Sequence, residues 1–108
     1  MNDNGVNRYE GKITVIVDSE VKSIIPEFII EWKQDVNTMR HALDRGDYET
    51  IRNISHRMKG TGATCGFDAL TDMGNDLLVS AGRMDTHAVK KLLATLAFYL
   101  EKVTVLYQ

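Results

Sequence analysis

The sequence predicts an all-α fold, an antiparallel up-down four-helix bundle with a short extra N-terminal helix and an extended N-terminal arm. Three observations predict it. Apolar residues recur at three- and four-residue spacing in four separate stretches. Glycines at 46, 66 and 82 punctuate those stretches with short breaks. A chain of 108 residues that is 44% hydrophobic can bury one core of modest size, and two independent domains would each be too small.

The elements follow in order. Residues 1–17 read as an arm. Its first part is polar, with Asn2, Asp3, Asn4, Asn7 and Arg8, and it lacks the apolar centre of a signal peptide. Residues 12–17 alternate like a strand at Ile13, Val15 and Val17, but a lone strand has nothing to pair with, so an extended segment lying on the bundle is expected. The bundle domain itself is expected over residues 18–108. Asp18 or Ser19 can cap a short helix to about Ile24, and Pro26 suits the first turn of the next. That helix carries Ile25, Phe28, Ile29, Trp32, Val36, Met39 and Leu43 on its apolar stripe and stops at Gly46. Asp47 caps a helix that runs to about Cys65, with Glu49 in its first turn at the positive end of the dipole. Phe67, Leu70, Met73, Leu77 and Ala81 share one face of the following helix, which ends at Gly82. Asp85 or Thr86 caps the last, with Val89, Leu92, Leu93, Leu96, Leu100, Val103 and Leu106 or Tyr107 on its buried stripe. Short connections favour antiparallel neighbours, and an up-down bundle is the simplest way to bury four stripes.

Composition excludes several functions. A net charge of -2 offers no basic excess for nucleic acid. No run of about 18 apolar residues exists, so no membrane insertion is expected. Cys65 is the single cysteine, which rules out an intrachain disulfide and zinc sites built on paired cysteines, and fits a reducing, cytoplasmic setting. The three histidines lie on separate helices with no ligand pair at helical spacing, so no metal is expected, and a small metalloenzyme ranks last among the possible functions.

Chemistry concentrates on the helix after Asp47. A 100° step puts Tyr48, Ile51, Ile54, Ser55, Met58, Gly62 and Cys65 on the core side. His56 falls nearly opposite, in water, with Arg52 and Asn53 one turn before it, Lys59 and Gly60 one turn after, and Ala63 beyond. Glycine in a helix interior costs roughly 1 kcal/mol relative to alanine, so Gly60 and Gly62 call for a reason. Gly62 lets a neighbouring helix come close. Gly60 has no core to pack against, and with Ala63 it clears the space beside the imidazole. A neutral imidazole offers a lone pair to an electrophile without a separate base. Phosphoryl transfer needs mainly positioning and charge stabilisation, which Lys59, and more weakly Arg52, can supply. The chain has no glycine-rich phosphate loop and no carboxylate cluster to hold a metal for ATP, so donor and metal would come from another protein. His41 sits on an ordinary polar surface and His87 in a first helical turn, and Cys65 and Trp32 read as packing residues, Trp32 in the core or at a partner-facing edge.

The run Ser55-His56-Arg57-Met58-Lys59-Gly60-Thr61-Gly62-Ala63-Thr64-Cys65-Gly66-Phe67-Asp68-Ala69-Leu70 resembles the signature of histidine-containing phosphotransfer (HPt) domains, and the likeness covers roughly residues 18–107. The resemblance implies a phosphoryl carrier of a multistep two-component phosphorelay, without a cofactor or ATP-dependent kinase activity of its own. His56 would be the phosphoacceptor, Lys59 the charge that stabilises the phosphoryl group, and Gly60 the source of steric access. Partners implied are the receiver domain of a response regulator or of a hybrid histidine kinase, with magnesium on that receiver. The sequence departs from the pattern at Leu78, where many relatives carry a Gln or Glu that orients the ring. That leaves ring orientation to water, Asn75 or backbone groups. Two other readings compete: a helical docking module that binds a receiver or kinase without being phosphorylated, and a phosphoacceptor served directly by an ATP-dependent kinase domain. Retention of signalling after His56→Ala would mark the first, and absence of label from a phosphorylated receiver the second.

Overall fold

A computed structural model of the chain describes residues 13–108. Residues 1–12 of the arm expected over 1–17 lie outside the described residues. Four helices make up most of the rest: α1 (Ile25–Asp44), α2 (Tyr48–Cys65), α3 (Asp68–Gly82) and α4 (Thr86–Lys102). Two strands flank them, β1 (Ile13–Val17) and β2 (Val103–Tyr107).

Local chemistry sets the helix boundaries. Pro26 occupies the first turn of α1. Asp47 caps α2 by accepting from Thr50 N at 3.1 Å, and Asp85 caps α4 by accepting from Ala88 N at 3.1 Å. At each junction one residue turns left-handed, Gly46 at φ 72, Gly66 at φ 83 and Met84 at φ 54, and the amide that follows it reaches back into the last turn. Asp47 N bonds Ala42 O at 2.8 Å, Phe67 N bonds Gly62 O at 2.8 Å and Asp85 N bonds Ser80 O at 3.0 Å. These short junctions return each helix onto its predecessor. α1 packs on α2 and α4, and α3 packs on the same two helices, which closes a four-sided bundle. A hydrogen bond between the hydroxyls of Tyr48 and Thr86 joins the first turns of α2 and α4.

The interior follows the predicted stripes. Ile25, Trp32, Val36, Met39, Ile51, Met58, Leu70, Leu77, Leu93 and Leu96 are buried. Trp32 is fully in the core, stacked on Phe28 at 5.6 Å and edge-on to Phe67 at 5.1 Å, and its indole N–H donates to Thr61 Oγ1 at 3.1 Å.

The two ends of the chain depart from expectation. The segment at Ile13–Val17 does have a partner: it pairs in parallel with β2, Ile13 opposite Val103 and Val17 opposite Tyr107. The last helix therefore stops at Lys102, and Val103, Leu106 and Tyr107 lie on a strand rather than on its stripe. The physical reason is composition. Val103-Thr104-Val105 is a β-branched run, which favours extended backbone, and each strand supplies the hydrogen-bonding edge the other lacks. Ile13, Val15, Val17, Val103, Val105 and Tyr107 pack onto the core, while Ile16 and Leu106 face solvent. The expected helix from Asp18 or Ser19 to about Ile24 is a single 3-10 turn, Ser19–Val21, capped by Asp18.

Candidate functional site

The site grows from the exposed side of α2. Ile51, Ile54, Ser55, Met58, Gly62 and Cys65 are buried, as the periodicity requires, with Tyr48 half-buried, so the opposite face is turned to water. His56 is exposed there, and among the described residues its imidazole makes no hydrogen bond or ion pair. Arg52, Asn53, Gly60 and Ala63 around it are exposed too. A Cβ placed on Gly60 meets no atom within 4 Å, so the missing side chain leaves open space beside the ring. On Gly62 the same Cβ would lie 3.2 Å from Leu70 Cβ. That glycine serves the approach of α3 to α2.

Lys59 behaves differently from an ordinary surface lysine. It is half-buried, its carbonyl accepts weakly from Thr71 Oγ1 at 3.4 Å, and its ammonium donates to Asn75 Oδ1 at 3.3 Å. A Cβ on Gly74 would lie 3.2 Å from Lys59 N, Cα and Cβ, so α3 comes close to α2 at this lysine. Arg52, one turn before His56, extends toward Gly82 at the end of α3, with its Nε 3.9 Å from a Cβ placed there. The imidazole thus stands between two cations on its own helix. Asn75 is engaged with Lys59 and not with the ring, and Leu78 is half-buried on α3.

On the other flank, Arg57 ties α2 to α1. It donates to Asp35 Oδ1 at 2.7 Å and lies 3.8 Å from Glu31. Asp35 is buried, and its second oxygen has no partner among the described residues. Burial pushes its carboxyl above the usual value, against the hydrogen bond and charge of Arg57. Sequence reasoning missed Asp35, Gly74 and the Lys59–Asn75 contact. Gly74 had a signal: it interrupts an apolar-periodic helix at the same cost that drew attention to Gly60 and Gly62. Asp35 had none, because a carboxylate beside a buried stripe looks like its solvated neighbours.

The remaining candidates lie apart from this chemistry. His41 and His87 are exposed on other helices, and burial pushes the Cys65 thiol up, so it stays a protonated packing group. Among the described residues no three potential metal ligands converge, and no helix is long and apolar enough to cross a membrane. A groove of about 730 Å³ between α3 and α4 is lined by Ala69, Met73, Ala94 and Tyr99 and does not reach His56. The Tyr99 hydroxyl, pushed up to about 12 first by burial and then by Asp68, stays protonated.

The family model of the Hpt domain matches residues 23–97. The chain belongs to the Hpt domain family. Hpt domains act in phosphotransfer in phosphorelay signalling, where they interact with receiver domains. No curated protein and no solved structure matches the chain. The Hpt match takes in most of the four helices, including positions 56–60, whereas β1 and β2 both fall outside it.

Proposed function

We propose that His56 is the phosphoacceptor, taking a phosphoryl group from a receiver-domain aspartate and passing it to another receiver. The observation that carries this reading is an exposed imidazole free of partners among the described residues, with open space over Gly60 and an anchored ammonium at Lys59 one turn on. In the forward step a ring nitrogen lone pair attacks phosphorus, the P–O bond of the acyl phosphate breaks, and the electron pair leaves with the aspartate carboxylate. The proton on the other ring nitrogen stays in place. The transition state is loose, so orientation and charge offset are the main demands on this chain. Lys59 supplies the charge on one side of the ring. Gly60 admits the receiver, which would bring the magnesium its aspartyl phosphate requires.

The domain carrying this activity is drawn as residues 18–108, with the arm 1–17 ahead of it. Its helices run alternately up and down, a reading supported by the short junctions and by the bond between the first turns of α2 and α4. The setting is the cytoplasm, where receivers of response regulators or hybrid histidine kinases would be the partners. The test mixes the pure chain with a phosphorylated receiver and magnesium and maps the label by mass spectrometry at neutral pH. Label on His56, lost in His56→Gln, is expected. Label persisting in that variant would refute the assignment.

A further inference from the structure

We propose that Asn75 is a positioning residue that holds the Lys59 ammonium ready for the phosphoryl group, an inference that rests on His56 being the phosphoacceptor. Lysine is a flexible stem bearing a strongly hydrated charge, and on an open helix face it sweeps through many rotamers. Lys59 is restrained at both ends by adjacent residues of α3. Gly74 brings that helix's backbone against the N, Cα and Cβ of Lys59, and Asn75 accepts a hydrogen bond from its tip at 3.3 Å. Gly74 is buried, so the contact at the base belongs to the packed interface, while Asn75 is exposed and reaches the ammonium from outside it.

The choice of an amide matters. An ammonium has three N–H donors, and one bond to Asn75 Oδ1 leaves two for phosphoryl oxygens. A carboxylate at position 75 would also hold the lysine, but it would neutralise the charge and repel the incoming anion. The neutral amide orients the cation and leaves its charge unspent. Leu78, one turn further along α3, brings no polar atom to the site.

The experiment measures the rate of phosphoryl uptake from a phosphorylated receiver, and the lifetime of phosphorylated His56, in the full chain and in Asn75→Ala, Asn75→Asp, Lys59→Ala and the double variant Asn75→Ala/Lys59→Ala. Asn75→Ala is expected to slow uptake roughly three- to tenfold, and Asn75→Asp to slow it further. In the Lys59→Ala background the loss of Asn75 should add nothing. A purely structural role would lower the melting temperature and slow both backgrounds alike. Uptake at the unaltered rate in Asn75→Ala, or an equal slowing with and without Lys59, would overturn the positioning role alone. A chain whose unaltered form takes no label on His56 would instead overturn the phosphotransfer reading beneath it.

Discussion

Gly60 and Gly74 do different work near His56, and their substitutions should separate packing from access. Gly60 faces open space, so Gly60→Ala creates no clash and gains helix propensity, raising stability by up to about 1 kcal/mol. If a receiver approaches His56 over this open space, as proposed, a larger side chain such as Gly60→Gln should slow phosphoryl uptake while the fold stays intact. Gly74→Ala should do the reverse. Its Cβ would press on the Lys59 backbone at 3.2 Å, which cannot swing away like a flexible tip, so a loss of about 1–3 kcal/mol is expected as α3 shifts. Uptake should fall with it because Lys59 moves. Denaturant unfolding and receiver-to-histidine transfer, measured on the same preparations, distinguish a substitution that stabilises and blocks from one that destabilises and misplaces. The grouping of positions 56, 59 and 60 on one side of α2 was legible in the sequence because helical geometry places them together without knowledge of any other element. The Lys59–Asn75 hydrogen bond was not, since it depends on how far α3 slides along α2, and close contacts between the helices such as Gly74 against Lys59 set that slide.

The helices are joined by devices whose protonation and backbone strain can be tested element by element. Asp35 joins α1 to α2 through Arg57, and its folded carboxyl is raised above the usual value by burial. A carboxyl raised on folding binds more protons in the native state. Its contribution is therefore most favourable below the unfolded value of 3.8 and declines as pH rises through the folded one. Asp47, which caps α2, runs the other way. Its hydrogen bonds from Thr50 hold its carboxyl low, so it stabilises above the unfolded value of 3.8, and that contribution is lost as pH falls through the lowered one. Stability curves of the chain against Asp35→Asn and Asp47→Asn should accordingly diverge: acidification from neutral pH should favour the unaltered chain over Asp35→Asn and then, below 3.8, erode its advantage over Asp47→Asn. The junction before α4 offers a simpler case. Met84 occupies the left-handed position that Gly46 and Gly66 fill elsewhere, so Met84→Gly should gain up to about 1 kcal/mol, read from the shift of the unfolding midpoint. Helix number, caps and stripes were readable because each is written within one turn of its own residues. The strand at Val103–Tyr107 was not, since an apolar β-branched run at the end of a helical stripe satisfies both periodicities and only its distant partner decides between them.

At the scale of the whole molecule the parallel pair joins one end of the described chain to the other across the bundle. Its register sets Val15 against Val105 and Val17 against Tyr107, and the ladder continues through Gln108 N to Val17 O at 3.0 Å and Ser19 N to Gln108 O at 2.8 Å. A parallel pair cannot be closed by a tight turn, and here the crossover is the entire bundle. Closing so long a loop is entropically costly until the helices have shortened the distance, so the sheet should form after the helical core rather than nucleate it. Val17 lets that order be measured, because it is almost fully buried at 2% exposure yet lies on the strand rather than on a helix. Val17→Ala should cost roughly 1–2 kcal/mol from lost apolar burial and the space left behind. If the sheet closes last, that loss should appear almost wholly as faster unfolding, with the refolding rate nearly unchanged. Leu77→Ala in the helical core should slow refolding as well. Refolding that slows for Val17→Ala by as much as for Leu77→Ala would mean that the ends of the chain meet before the bundle has formed, reversing the order that loop closure predicts.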